Sequence, residues 1–406
     1  MRVIRLGKLC TKEYGDKIRL CCNINKDNSD YELWLEVDKE YGEYLTYERS
    51  DSFVSIMLYC AMKNGYDIVC ETPMTEQLHF QITEILIPTV CEAIPEFHKI
   101  SITCPTESFP ISKKCKPGGV GTALSCGVDS LYTILRHEKN IDSSFDITHF
   151  TFFYAGSSGV KGMDRTLLEE RLSHVRKFAI KKGKPLVFVD SNIPEYFNDY
   201  DYLASVAYKC MGFVLALQKL FRYYFFSSSY KITEFHISAE ACDYYDRLIA
   251  QCMSFAGLTF EIGGNGVSRG DKEEYLSNRP EVYDSLNICN KYSYNCCKCE
   301  KCIRTISSLY AIGKLDRFDK VFDIEKFLNN KTYYFAIMIA DGREWYLDTL
   351  KKIRKNGERI PIMSYWLGFW YHPILHPADR SFIMRVRRVF ILKISMKARQ
   401  LNRDIF

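Results

Sequence analysis

Residues 121–130 read Gly-Thr-Ala-Leu-Ser-Cys-Gly-Val-Asp-Ser, and Leu131-Tyr132-Thr133-Ile134-Leu135 follows with helical character. An apolar strand here ends abruptly in small residues and a carboxylate. A strand feeding a helix through a Ser/Gly turn aims unpaired backbone N–H groups, hydroxyls and the positive end of the helix dipole at one point, where an anion can sit. Ser125, Cys126, Gly127, Val128, Asp129 and Ser130 therefore form a candidate phosphate cradle, with Asp129 placed to act as a Mg2+ ligand beside the phosphates. An ordinary strand-to-helix turn gives the same pattern without a ligand.

A second group has metal-ligand spacing. Cys289, Cys296, Cys299 and Cys302 follow a C-x6-C-x2-C-x2-C pattern, with Cys297 as a fifth thiol. Two residues between cysteines let both thiolates reach one centre, and four sulfurs complete the tetrahedron of structural Zn2+. An iron–sulfur cluster accepts similar spacing. The chain has 17 cysteines, an odd number, and no amino-terminal apolar segment with a cleavage site. A reducing cytoplasm with free thiols is therefore the expected setting. Cys60, Cys70 and Cys91 lie in apolar surroundings and are expected as small core residues.

The decamer resembles the Ser-Gly-Gly-x-Asp-Ser signature of the PP-loop ATP pyrophosphatases, which split ATP between its α and β phosphates and transfer AMP to a substrate oxygen. Cys126 stands where that signature has its first glycine, so close backbone approach to a pyrophosphate must tolerate a Cβ. With a four-cysteine knot beginning at Cys289, residues 117–312 resemble the 7-cyano-7-deazaguanine synthase (QueC-like) branch. That resemblance implies ATP, Mg2+ and a structural Zn2+ as cofactors. It implies activation of a deazaguanine carboxylate, amide formation by ammonia, and dehydration to a nitrile. The cysteine spacing departs from the family's by one residue, which leaves open whether Cys297 replaces Cys296 as a ligand. The chain is also nearly twice the usual length. In this it is similar to longer relatives in bacterial anti-phage operons, whose deazaguanine-type group is attached to a partner protein. By resemblance Tyr154 lines the adenine, Asp190 holds ribose or Mg2+, and Arg269 or Lys272 closes over the phosphates from the Gly-rich loop 263–272. Such a cationic loop is expected to be mobile and solvated when idle. On this reading Asp129→Ala removes activity and leaves the fold intact.

These residues need a scaffold. At 406 residues the chain exceeds one usual core, so two or three domains are expected. They are an α/β accessory domain over 1–112, a PP-loop ATP-binding domain with the cysteine knot over 117–312, and a helical basic region over 313–406. Strands at Leu33–Val37 and Lys99–Thr103, and helices around Val54–Met62 and Leu78–Pro88, furnish the first. Beyond Val120 the pattern alternates strand and helix, with strands near Val120–Ser125, Thr148–Tyr154, Leu186–Asp190, Tyr223–Ser227 and Leu258–Ile262. Leu168, Leu172, Val175 and Ala179 mark one intervening helix, stopped by Gly183. The fold class is α/β, with a parallel sheet whose ligand site lies beyond the carboxyl ends of its strands. Ser227-Ser228-Ser229 ends one of them, and His236-Ile237-Ser238-Ala239-Glu240 with Asp243 is a further candidate substrate-facing segment. No run reaches 18 apolar residues, so no spanning helix is expected.

Residues 380–406 carry eight Arg or Lys against Asp404 alone. Interleaved with Phe382, Ile383, Met384 and Val389, they suit a docking helix for a partner protein, RNA or a membrane surface, or a packing helix with snorkelling arginines. The sequence thus points to an ATP-dependent ligase acting on a small-molecule carboxylate or amide, with a protein partner. A tRNA-modifying PP-loop enzyme, a natural-product amide synthetase and a nucleotide-binding non-catalytic subunit are the alternatives. Cys126 at a helix start is read as a tolerated small residue, with nucleophilic thiol chemistry as the alternative.

Overall fold

The computed structural model describes residues 2–110, 117–138, 143–156, 165–197 and 202–375. The chain divides into two compact units, Met1–Tyr294 and Asn295–Phe406. The first unit opens with strands β1 (Arg2–Leu6), β2 (Cys10–Tyr14), β3 (Lys17–Lys26) and β4 (Ser29–Asp38). Helix α1 (Asp51–Asn64) then leads to β5 (Tyr66–Cys70), β6 (Met74–Thr75), α2 (Glu76–Gln81), a π turn (Ile82–Leu86), α3 (Ile87–Ala93), β7 (Ile102–Thr103) and β8 (Thr106–Glu107). Pro88 has no N–H to offer the Glu84 carbonyl, and the expected helix through Leu78–Pro88 widens into the π turn just before it. The strand expected over Lys99–Thr103 is confined to β7.

From β9 onward, strand and helix alternate as the sequence pattern predicts. β9 (Gly119–Ala123), α4 (Val128–Arg136), β10 (His149–Phe153), α5 (Arg165–Lys181) and β11 (Leu186–Ser191) come first. They are followed by α6 (Ile193–Tyr196), α7 (Tyr202–Ala216), β12 (Phe221–Ser227), α8 (Asp246–Met253), β13 (Thr259–Gly263) and α9 (Arg269–Leu276). Helix α5 buries Leu168, Leu172, Val175, Phe178 and Ala179, and the chain leaves it through Gly183 at φ +61°.

These elements build one mostly parallel central sheet of order β13-β12-β9-β10-β11-β4-β3-β1-β5-β7, with β2 beside β3. β13 through β11 are mutually parallel, and β1, β5 and β7 are parallel at the far end. Between these blocks β4 runs antiparallel to β11, pairing Glu36 with Asp190 and Leu35 with Ser191. Residues expected to form a separate accessory domain are therefore hydrogen-bonded into the same sheet. The two parts also share a helix layer: buried Ser55 Oγ on α1 donates to the Tyr208 carbonyl of α7 at 2.8 Å, and Gly212 lets the two backbones approach.

The chain progresses from β9 through β10 to β11 on one side, then returns to lay β12 and β13 on the other side of β9. The order reverses at β9, and ligands bind at such switch points, outside the strand carboxyl ends. Gly121 keeps β9 thin there, since a Cβ at that position would sit 2.7 Å from the rings of Phe221 and Tyr224.

The second unit is helical. α10 (Glu300–Ala311), α11 (Ile324–Asp341), α12 (Glu344–Lys355) and α13 (Ile362–Leu375) enclose Phe327, Phe335 and Tyr346. No helix among the described residues is long and apolar enough to cross a membrane. The basic segment 380–406 lies outside the described residues.

Candidate functional site

The turn from β9 to α4 is closed by its own hydroxyls. Ser125 Oγ lies 3.1 Å from Ser130 Oγ and accepts the Gly127 N–H at 3.3 Å, while Ser130 Oγ donates to the Gly127 carbonyl at 3.2 Å. Ser125 is exposed and Ser130 buried, so the turn presents one hydroxyl outward and uses the other as a brace. Cys126 occupies the left-handed backbone region at φ +57°, a conformation that glycine adopts freely and other residues at a cost of about 1–3 kcal/mol. Its side chain is fully buried and its carbonyl accepts the Asn287 N–H at 2.8 Å. The structure bears on two sequence readings of Cys126. The Cys126 Cβ enters the core, where a crowding contact with a ligand was expected. Burial pushes the thiol up to about 12, so it is no activated nucleophile.

Lys272 and Arg269 converge on this turn from α9. Lys272 Nζ donates to Asp129 Oδ1 at 3.0 Å and to the Ser228 carbonyl at 2.6 Å. Arg269 Nη1 donates to Asp129 Oδ2 at 2.7 Å and pairs through Nε with Glu273 Oε1 at 3.5 Å. Lys272 is only 1% exposed. The expected mobile, solvated loop is thus replaced by a helix whose cations are already in place. Ser268 caps that helix, accepting the Asp271 N–H while Asp271 reaches back to the Ser268 N–H. Gly264 turns the chain at φ +78°, and a Cβ there would stand 3.1 Å from Lys272 Cε and 3.2 Å from the Tyr132 ring.

Tyr154 and Asp190 form a group of their own, linked by Arg165. That guanidinium lies 4.6 Å over the Tyr154 ring and donates to both Asp190 oxygens at 2.8 Å. Tyr154 is 4% exposed, and its backbone carbonyl accepts the Ser191 hydroxyl at 2.6 Å. Asp190 also borders a cleft of about 280 Å³ lined by Glu36, Asp38, Glu169 and Arg176.

The sulfurs of Cys289, Cys296, Cys299 and Cys302 all lie within 4.8 Å of one another, and all four residues are buried. Four sulfurs about 2.3 Å from one ion stand about 3.8 Å apart, so the cluster fits a tetrahedral metal. Cys299 caps the amino end of α10, its N–H donating to Cys296 Sγ at 3.4 Å, and Cys302 lies in the first turn. Both positions favour thiolates through the helix dipole. Cys297 is not among the four. It takes φ +55° and its thiol turns to the Asn295 carbonyl at 3.5 Å.

No family model, no curated protein and no solved structure matches this chain. What the site can do rests on its own geometry.

Several residues of that geometry were not singled out by sequence. Arg165 gave no signal, because a helical arginine is ordinarily solvated. Asp246 reads as a helix amino-terminal acid, yet it is 4% exposed, and burial with Asp243's charge raises its carboxyl to about 7. Ser228 was named at a strand end, but its contribution here is its backbone carbonyl, which no motif specifies.

Proposed function

We propose that this chain is an ATP-dependent adenylating enzyme, splitting ATP to AMP and pyrophosphate to activate a carboxylate or amide of a deazaguanine-type substrate. The reading is carried by one juxtaposition: the Ser125–Ser130 turn at the carboxyl end of the switch strand β9, with Lys272 and Arg269 both held on Asp129. Donors fixed where charge develops stabilise a transition state without reorganising. In the proposed reaction a substrate carboxylate oxygen attacks the α-phosphorus, and the bond from that phosphorus to the bridging oxygen breaks, releasing pyrophosphate. Ammonia or a partner-protein amine then attacks the acyl carbon and AMP leaves.

Within this scheme the exposed Ser125 hydroxyl and the N–H groups at the start of α4 bind phosphate oxygens, and the two cations offset the charge of the leaving pyrophosphate. Asp129 orients both cations, and it is the carboxylate that would hold Mg2+, which supplies charge neutralisation on the phosphates. Cys289, Cys296, Cys299 and Cys302 would hold Zn2+, whose contribution is structural.

The test is product analysis with α-labelled ATP and 7-carboxy-7-deazaguanine. Labelled AMP with pyrophosphate is expected. ADP with orthophosphate, and no AMP with any carboxylate or amide substrate, refutes the reading.

A further inference from the structure

Helix α13 is held on one side and left open on the other. Ser364 is buried and donates to the Thr332 carbonyl of α11 at 3.0 Å. Gly368, one turn on, lets the α11 backbone come close, since a Cβ there would stand 3.0 Å from the Ala336 carbonyl oxygen. On the opposite face Ile362, Trp366 and Phe369 follow at spacings of four and three residues, which places them in one row. Ile362 is 86% exposed and Trp366 54%, with Met363 beside them at 52%. No Asp, Glu, Lys or Arg stands between Arg359 and Asp379. An apolar row of this size on an anchored helix marks a surface that something covers.

The charge around the row decides what covers it. The last turn of α12 carries Lys352, Arg354 and Lys355, and Arg354 donates to the hydroxyl of Tyr365 on α13. Lys355 and Arg359 are exposed, and no acid pairs with either among the described residues. Glu358, the one acid within residues 351–375, is taken by Lys331 at 3.7 Å. The sequence continues in the same sense: residues 351–406 hold thirteen Lys or Arg against three acids, a local +10 on a chain of formal net charge +5. The covering surface is therefore apolar and anionic together. RNA supplies the charge but gives aliphatic Ile362 and Met363 nothing to bury against, and a second copy of this face brings like charges together. A protein partner meets the need only with an acidic rim set around an apolar floor. An anionic bilayer supplies both along its whole surface, taking rings and aliphatic tips at the acyl boundary and cations at the phosphates. We propose that α13, with the cations at the end of α12, is a docking face for an anionic lipid surface, lying along the interface rather than crossing it. The proposal does not depend on the adenylation reading.

The experiment is cosedimentation of the full chain with vesicles of phosphatidylcholine alone and of phosphatidylcholine with about one-third phosphatidylglycerol. The anionic vesicles are expected to bind at least about tenfold tighter, since each cation near such a surface adds about fivefold in affinity. That advantage should vanish at about 1 M salt. Ile362→Ser with Trp366→Ser, and separately Lys355→Glu with Arg359→Glu, should each cut binding to the anionic vesicles at least about tenfold. Trp366 alone of the four tryptophans is exposed, so brominated phosphatidylglycerol should quench the emission of the native chain. Trp366→Phe, which keeps the apolar row, should bind as tightly and lose about half or more of that quenching. Equal binding of the two vesicle types, binding of neither, or binding that survives the serine pair overturns the inference. So does a native dimer that Trp366→Ser converts to monomer, by assigning the face to a second copy. If the serine variant does not fold, the quenching decides: none in the native chain, or none lost in Trp366→Phe, overturns the inference as well.

Discussion

Lys272 Nζ lies 3.0 Å from Asp129 Oδ1 in a side chain 1% exposed. A buried ammonium keeps its charge only where acceptors replace water, and here those are one carboxylate and the Ser228 carbonyl. Asp129 therefore acts on the fold as well as on any ligand.

Removing that carboxylate leaves a buried cation unpaired, which costs about 3–5 kcal/mol. Asp129→Ala is accordingly expected to lower the melting temperature by several degrees, a revision of the expectation that the fold stays intact. Adding Lys272→Met should recover at least half of the loss. Thermal denaturation of the two single variants and the double variant measures the coupling. A melting temperature for Asp129→Ala within a degree of the native value would show that the pair carries no stability.

The turn from β9 to α4 was legible because it is local. Consecutive small residues, a carboxylate and an apolar helix fix a turn that needs no distant partner. The alternating pattern after β9 was legible for the same reason, as each strand or helix shows its own period. What sequence could not give is non-local. Lys272 lies 143 residues from Asp129, and a charged Gly-rich stretch has the composition of a solvated loop until the Ser268–Asp271 capping box and the Gly264 turn make it a helix start. Glu36 and Asp190 pair across β4 and β11, which no local period announces. The sign of φ at Cys126 was likewise invisible, and it decides whether that side chain meets a ligand or the core.

Cys126 supplies a direct chemical check. With its side chain buried and its thiol at about 12, it should stay unmodified when the native chain is treated with iodoacetamide at pH 8, while exposed Cys10 is alkylated. Peptide mass mapping reads both. Rapid native-state labelling of Cys126 would contradict the burial and revive a nucleophilic role.

The cysteine cluster predicts one zinc per chain by elemental analysis. Because metal binding is coupled to folding, Cys299→Ser should reduce both zinc content and thermal stability, and chelation should destabilise the native chain more than the variant. Cys297→Ser, which changes a thiol outside the four, should keep the metal. Iron in place of zinc would reassign the cluster, and a metal-free native chain with undiminished stability would abolish the prediction.

Gly212 tests the packing that joins α1 to α7. A Cβ there would stand 2.6 Å from Ile56 Cγ1 and 2.8 Å from the Ser52 carbonyl oxygen. Backbone cannot yield as a side chain can, so overpacking, about 1–3 kcal/mol, outweighs the gain of up to about 1 kcal/mol from replacing a helical glycine. Gly212→Ala should melt several degrees below the native chain, and Gly118→Ala, at a position with open space, should not. Equal melting temperatures for the two variants would mean that the helices separate at little cost.

Asp246 predicts a pH dependence with a definite sign. Burial first, and Asp243's charge second, raise its carboxyl from 3.8 to about 7. The folded chain therefore holds this proton more tightly than the unfolded chain does, so the group's stabilising contribution is full below pH 4 and is lost as pH rises through about 7. At about 1.4 kcal/mol per unit of pKa, ionising it in place costs a few kcal/mol. Asp246→Asn, which carries no ionisable proton, should be more stable than the native chain at pH 8, with the difference shrinking steadily as pH falls toward 4. Urea denaturation at four or five pH values measures the slope. A difference between the two chains that is constant across that range would show that Asp246 titrates normally.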